Sequence, residues 1–153
     1  MKTSRILILL FILFWGNIAN AQKMNDLYEY LINDYYNDLC AKNIISGQDT
    51  VYFTCGFCDN QSTCFDYDVK LENDKIQFAL PHVDAIHSEV IFYRLSAPEL
   101  EKQSIIIDVG IYNMLYRGYN NKEFIYLGTI KYVFKYEKKK SQYVFKSKKE
   151  FGL

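Results

Sequence analysis

The sequence predicts an α+β domain: an N-terminal helix packed on a curved, mostly antiparallel sheet that ends in a three-strand meander. Three observations lead there. One segment near the start repeats its apolar residues at helical spacing, three long segments near the end alternate apolar with polar residues, and short polar turns join those three.

The chain opens on "MKTSR", with Lys2 and Arg5 ahead of the apolar run "ILILLFILFWG" and then "NIANA". A basic start, an apolar core and the small-x-small triplet Ala19-Asn20-Ala21 predict a secretory signal peptide over residues 1–21. The apolar core is about 11 residues, well short of the roughly 20 that span a bilayer. Cleavage would leave 22–153 as one α+β domain with no transmembrane anchor, in a secreted or periplasmic compartment. Charge in that domain is uneven: residues 22–89 hold 12 acids and 4 bases, residues 90–153 hold 6 acids and 12 bases. A near-neutral total therefore hides an acidic first half and a basic second half.

"MNDLYEYLINDYYNDLC" (24–40) places Leu27, Tyr30, Leu31, Asp34 or Tyr35, and Leu39 on one stripe with acids opposite. Asn25 or Asp26 is the expected cap and Gly47 the expected breaker. "TVYFTC" (50–55) and "CFDYDVKL" (64–71) read as strands flanking a cysteine-rich loop, and "END" turns the chain into "KIQFAL". "EVIFYRL" (89–95) reads as a strand, and "SAPELEKQ" as a polar connection or a single helical turn.

The meander is expected from 104–116, 122–136 and 141–149, joined by "RGYNN" and "EKKK". In its middle strand, Phe124, Tyr126, Ile130, Tyr132, Phe134 and Tyr136 fall on one face by simple alternation. That strand should begin covered on both sides and end with one face wet. Gly110 and Gly128 interrupt neighbouring strands and mark expected bulges or bends, which suggest curvature.

All four cysteines fall in the first half of the chain, three of them in "TCGFCDNQSTC". A redox centre would need Cys55-Gly-Phe-Cys58 to open a helix after a strand, and here it leads into more strand. A zinc site would need Cys40, Cys55, Cys58 and Cys64 together, without the second CxxC that makes such a pattern persuasive. For an exported chain two structural disulfides are the expectation; of the three connectivities that four cysteines permit, Cys55 with Cys64 and Cys58 with Cys40 is preferred to one that closes the small Cys55–Cys58 ring. No metal and no cofactor is expected. His82 and His87 have a spacing that suits neither a helix face nor a strand face. No catalytic triad order, phosphate loop or HExxH occurs.

Two surfaces remain. Asp108 interrupts "IIIDVGIY", and a carboxylate inside an apolar strand must be solvated, paired or placed in a pocket. With Tyr112 and Tyr126 it forms a candidate pocket. Lys131, Lys135, Lys138, Lys139, Lys140, Lys146 and Lys148 interleave with aromatics and form a candidate surface for polyanions. Lysine also guards edge strands against aggregation, and the absence of arginine there weakens bidentate phosphate recognition. The expected function is a small exported, disulfide-stabilised binding or interaction module with no catalytic residues, recognising a protein or small ligand. Thiol–disulfide exchange or acid–base catalysis at Asp108 is the alternative.

Overall fold

The computed structural model describes residues 24–55, 73–81, 88–118 and 121–152. The signal segment 1–21, the strand expected at 64–71, and Cys58, Cys64, His82 and His87 lie outside the described residues.

Helix α1 spans residues 24–41. Its buried stripe is Leu27, Tyr28, Leu31, Ile32, Tyr35, Tyr36 and Leu39, two rows of i, i+4 spacing. Tyr30, expected in that stripe, is 43% exposed and stands at its border. The helix already contains Asn25 and Asp26, and it ends before Gly47. Asn43 adopts a left-handed φ of 54°, its amide donates to the Cys40 carbonyl, and the Ile44 amide donates to the Leu39 carbonyl. These paired bonds form a Schellman stop, which asparagine tolerates better than most residues.

Seven strands form one mixed, mostly antiparallel sheet: β1 (Val51–Thr54), β2 (Ile76–Phe78), β3 (Glu89–Leu95), β4 (Glu99–Glu101), β5 (Ser104–Tyr116), β6 (Lys122–Glu137) and β7 (Gln142–Phe151). Their order is β2-β1-β3-β5-β6-β7, with β4 paired to β5. β1 runs parallel to both β2 and β3, whereas β3, β5, β6 and β7 pair antiparallel in turn. Both edges of β1 are thus occupied by described strands. The "SAPELEKQ" segment is no helical turn, because Glu99–Glu101 pairs with Ile106, Ile105 and Ser104 of β5.

The core lies between α1 and one face of the sheet. Val51, Phe53, Tyr93, Leu95, Ile105, Ile107, Val109, Ile111, Ile130, Tyr132 and Phe134 meet the helix stripe there. Burying each large apolar side chain contributes about 1.5–3 kcal/mol. Tyrosines serve this core because their rings fill it while their hydroxyls reach acceptors at its margin. Tyr28 Oη donates to the Ser96 carbonyl at 2.8 Å and Tyr132 Oη to Asp34 Oδ2 at 3.0 Å. Burial, and then the Asp34 charge, push the Tyr132 phenol far above its ordinary value, so it remains a donor.

A charged seam closes the helix against β7. Lys148 Nζ reaches Asp34 Oδ2 at 2.9 Å and Asp38 Oδ2 at 3.4 Å, and Lys42 bridges Asp38 at 3.2 Å and Glu150 at 2.8 Å. Burial raises the Asp38 carboxyl, but Lys42 and Lys148 outweigh it and hold the group below its ordinary value. Burial lowers Lys148, and Asp34 with Asp38 outweigh it in turn, so this ammonium is raised.

Two single-residue register shifts decide which side chains face the helix. Ile111 pairs with Gly128 but Tyr112 with Tyr126, so Leu127 is extra and the alternation of β6 reverses beside Gly128. Phe124 and Tyr126 therefore lie on the face opposite the helix, away from Ile130, Tyr132 and Phe134. The start of β6 is also not covered on both sides: Ile125, Tyr126 and Leu127 are 39%, 55% and 37% exposed. In β7, Val133 pairs with Ser147 but Phe134 with Phe145, so Lys146 is extra, and both Lys148 and Phe145 fall on the helix side.

Replacing Asp34 with Ala leaves the Tyr132 hydroxyl without its acceptor and should cost about 1–3 kcal/mol in urea denaturation. An unchanged midpoint would show that the helix is not tied through this residue. The depressed Asp38 contributes stability above the unfolded carboxylate value of about 3.9, lost as pH falls through its folded value. The raised Lys148 contributes fully below about 10.4 and loses its share as pH rises through its folded value. Stability measured against pH should show a plateau with both shoulders, and Lys148→Gln should flatten both.

Candidate functional site

The helix-free face carries the most distinctive chemistry among the described residues. Paired residues share a face, so the strand registers set out its rows. One row runs Asp108, Lys131, Lys149; the next runs Arg94, Gly110, Thr129, Phe151; the next runs Phe92, Tyr112, Tyr126. A cleft of about 380 Å³ opens here, lined by Cys55, Arg94, Ser96, Asp108, Tyr112 and Thr129 among others.

Asp108 is fixed by its backbone. The Ser96 amide donates to the Asp108 carbonyl at 2.8 Å, and the Asp108 amide donates to Ser96 Oγ, also at 2.8 Å. The Ser96 hydroxyl in turn donates to the Ala97 carbonyl at 2.9 Å. Ser96 follows β3 and precedes β4, so the break between two strands that share β5 as neighbour places this hydroxyl beside Asp108. The carboxylate is left with Oδ1 enclosed and without a hydrogen-bond partner. A buried acceptor in that state has an unmet demand for a donor.

Aromatic rings form the other wall. Gly110 admits Tyr112: a Cβ at Gly110 would lie 2.8 Å from Tyr112 Cε2, so the ring rests over the bare backbone. Tyr112 stacks on Phe92 at 5.6 Å and meets Tyr126 at 5.4 Å, tilted by 59°. Tyr126 Oη and Thr129 Oγ1 lie 2.6 Å apart in a hydrogen bond.

The structure brings Asp108, Tyr112 and Tyr126 onto one face, the last through the reversal at Leu127. The basic residues it disperses. Lys131 and Lys135 belong to the helix-free face by register, Lys138, Lys139 and Lys140 form the β6–β7 turn, and Lys146 is the bulge residue. Lys140 pairs with Glu137 at 3.0 Å. Lys148 sits on the opposite side, bound to Asp34 and Asp38, and is no part of a free basic surface. Sequence reasoning missed Arg94, Ser96, Thr129 and Lys149. Arg94 and Lys149 carried a charge signal, but only strand pairing places Arg94 in the cleft with Asp108 and Lys149 beyond Lys131 in its row.

The cysteine expectation is corrected in one respect. Cys40 is a free thiol in the last turn of α1, packed against the core, so the bridge from Cys40 to Cys58 is not formed. Cys55, at the end of β1, is disulfide-bonded. Among the described residues no group of three or more His, Cys, Asp and Glu could hold a metal ion, and no helix is long and apolar enough to cross a membrane.

A second concavity of about 580 Å³ lies between α1 and β7, lined by Asp26, Tyr30, Phe134, Tyr143 and Phe145. Its rings pack on one another, Tyr30 with Phe145 at 5.5 Å and Phe134 with Phe145 at 6.2 Å, and none of its described lining residues has a buried side-chain polar atom without a hydrogen bond.

Gly110→Ala tests the geometry of the first cleft. The added methyl forces the Tyr112 ring aside, so the near-ultraviolet dichroism of the stacked tyrosines should change while the backbone spectrum does not. Identical aromatic spectra would contradict the ring placement. No family model, curated protein or solved structure matches this chain.

Proposed function

We propose that this protein is a small exported binding module, secreted or periplasmic, that recognises its ligand at the Asp108 cleft and performs no chemistry on it. The observation that carries this reading is the enclosed, unmatched Oδ1 of Asp108 in a cleft that also presents Arg94 and Tyr112. An acceptor held without a donor by a fixed backbone is suited to take one from a ligand. The N-terminal "MKTSRILILLFILFWG…ANA" supports export, and export favours the disulfide framework, with Cys55 joined to Cys64 across the loop after β1. The helix packs against one sheet face, and the cleft opens on the other, which also carries the buried Phe92, Ile106 and Met114. The free thiol of Cys40, held against the core, does not support thiol–disulfide exchange at that residue.

The test is a nuclear magnetic resonance titration of labelled protein with a library of small polar fragments. Shift changes should cluster on Ser96, Asp108, Gly110, Tyr112 and Thr129 and should weaken in Asp108→Asn. Hits confined to the cleft between α1 and β7, or no hits in either place, would reject the reading.

A further inference from the structure

The chemistry around Asp108 narrows the ligand further, on the premise that this cleft is the binding site. We propose that it takes an acidic saccharide of the uronate class, a chain or unit bearing hydroxyl donors, a carboxylate and an apolar ring face.

The first constraint is the acceptor. Oδ1 of Asp108 is enclosed and unmatched, so the ligand must bring an N–H or O–H donor. The second is the surrounding charge. Lys131 lies directly across from Asp108 and Lys149 directly across from Lys131, while Arg94 lines the same cleft. Among the described residues neither Lys131 nor Lys149 is within an ion pair, and Lys149 lies over the Phe151 ring at 5.0 Å. Like charges facing each other on neighbouring strands destabilise the sheet, and a bound anion relieves that repulsion. A simple ammonium ligand would satisfy Asp108 but meet the ammonium groups of Lys131 and Lys149. The donor must therefore be neutral, and hydroxyl fits, while another part of the same ligand carries negative charge.

The third constraint is the aromatic wall. Tyr112 and Tyr126 meet at a tilt of 59°, and Phe151 is 43% exposed in the row beside them. Tilted rings at a half-open margin suit the C–H face of a pyranose, whereas a nucleobase stacks best on a flat platform. A phosphate is also disfavoured by the Asp108 carboxylate and by lysine in place of most arginine. A uronate chain carries all three: hydroxyls for Asp108, a carboxylate for Lys131 and Lys149 in the same row, and on a neighbouring unit a C–H face for the exposed Tyr126.

Four hexamers used on the full chain separate the sources: oligogalacturonate, neutral maltohexaose, hexaglutamate and hexauridylate, titrated by calorimetry at two salt concentrations. Oligogalacturonate should bind at least about tenfold more tightly than each of the others. Asp108→Asn, which keeps the side-chain shape, should weaken it about tenfold, and Lys131→Gln should both weaken it and reduce its salt dependence. The triple change Lys138→Gln, Lys139→Gln, Lys140→Gln on the β6–β7 turn should leave it unchanged. Equal binding of hexaglutamate would reduce the effect to bulk charge, and tighter binding of hexauridylate would point to nucleic acid; either overturns the proposal. So does affinity that survives Asp108→Asn, or no oligogalacturonate binding at all. If fragments still map to the cleft in that last case, the saccharide assignment falls and the binding reading stands.

Discussion

A single helix can cover only one side of a sheet, and everything distinctive here follows from how that side is chosen. Asp34 of α1 is the pivot: it accepts the buried Tyr132 hydroxyl and the Lys148 ammonium together. Those two residues pair directly across β6 and β7, so one carboxylate fixes the helix over the boundary between the last two strands. An acceptor shared by a neutral and a charged donor also orders the two, because moving the helix would leave a buried hydroxyl unmatched. The tyrosine hydroxyl at Tyr28 supplies the other anchor, on the Ser96 carbonyl. Ser96 in turn holds the backbone of Asp108, so the helix anchor and the cleft on the far face share one residue.

The two register shifts give the sheet its division of labour. An uninterrupted β6 would have put Tyr126 beneath the helix with Ile130 and Tyr132. The extra Leu127 moves Phe124 and Tyr126 to the far face, where they join Phe92 and Tyr112. Without the extra Lys146, Lys148 and Phe145 would point to opposite sides; with it, Phe145 packs on Tyr30 while Lys148 reaches Asp34. The bulge and its lysine also sit in the outermost strand, where both features discourage another chain from pairing with the edge. The lysines of this region thus divide between holding the helix, guarding the edge and charging the far face.

Much of the architecture was legible in the residues. Helical spacing over 24–40 and alternation over the last three segments were strong signals because many residues voted for each. The glycine at 128 pointed to an irregularity that is present beside it. What was not legible depended on partners distant in sequence. The parallel pairing of β1 follows from which strands reach its edges, and no local pattern encodes that. "ELE" became a strand because β5 extends past the end of β3 and leaves pairing groups for it to take. The reversal at Leu127 shifts every later side chain by one position, which simple alternation cannot register. For the cleft, Asp108 was visible as a polar residue in an apolar run, and Tyr112 followed from it. Arg94 and Ser96 were not visible, since they lie on another strand and at its end.

The separation of the two sheet faces requires Lys148 to face the helix while its neighbours face away. Timed lysine acetylation of the native protein, read by mass spectrometry at each site, measures this directly. Lys148, paired with two carboxylates and raised in pKa, should react several-fold more slowly than Lys146 and Lys149 on the same strand. Lys148 acetylated as fast as Lys149 would mean that the strand register, and with it the separation of the two faces, is wrong.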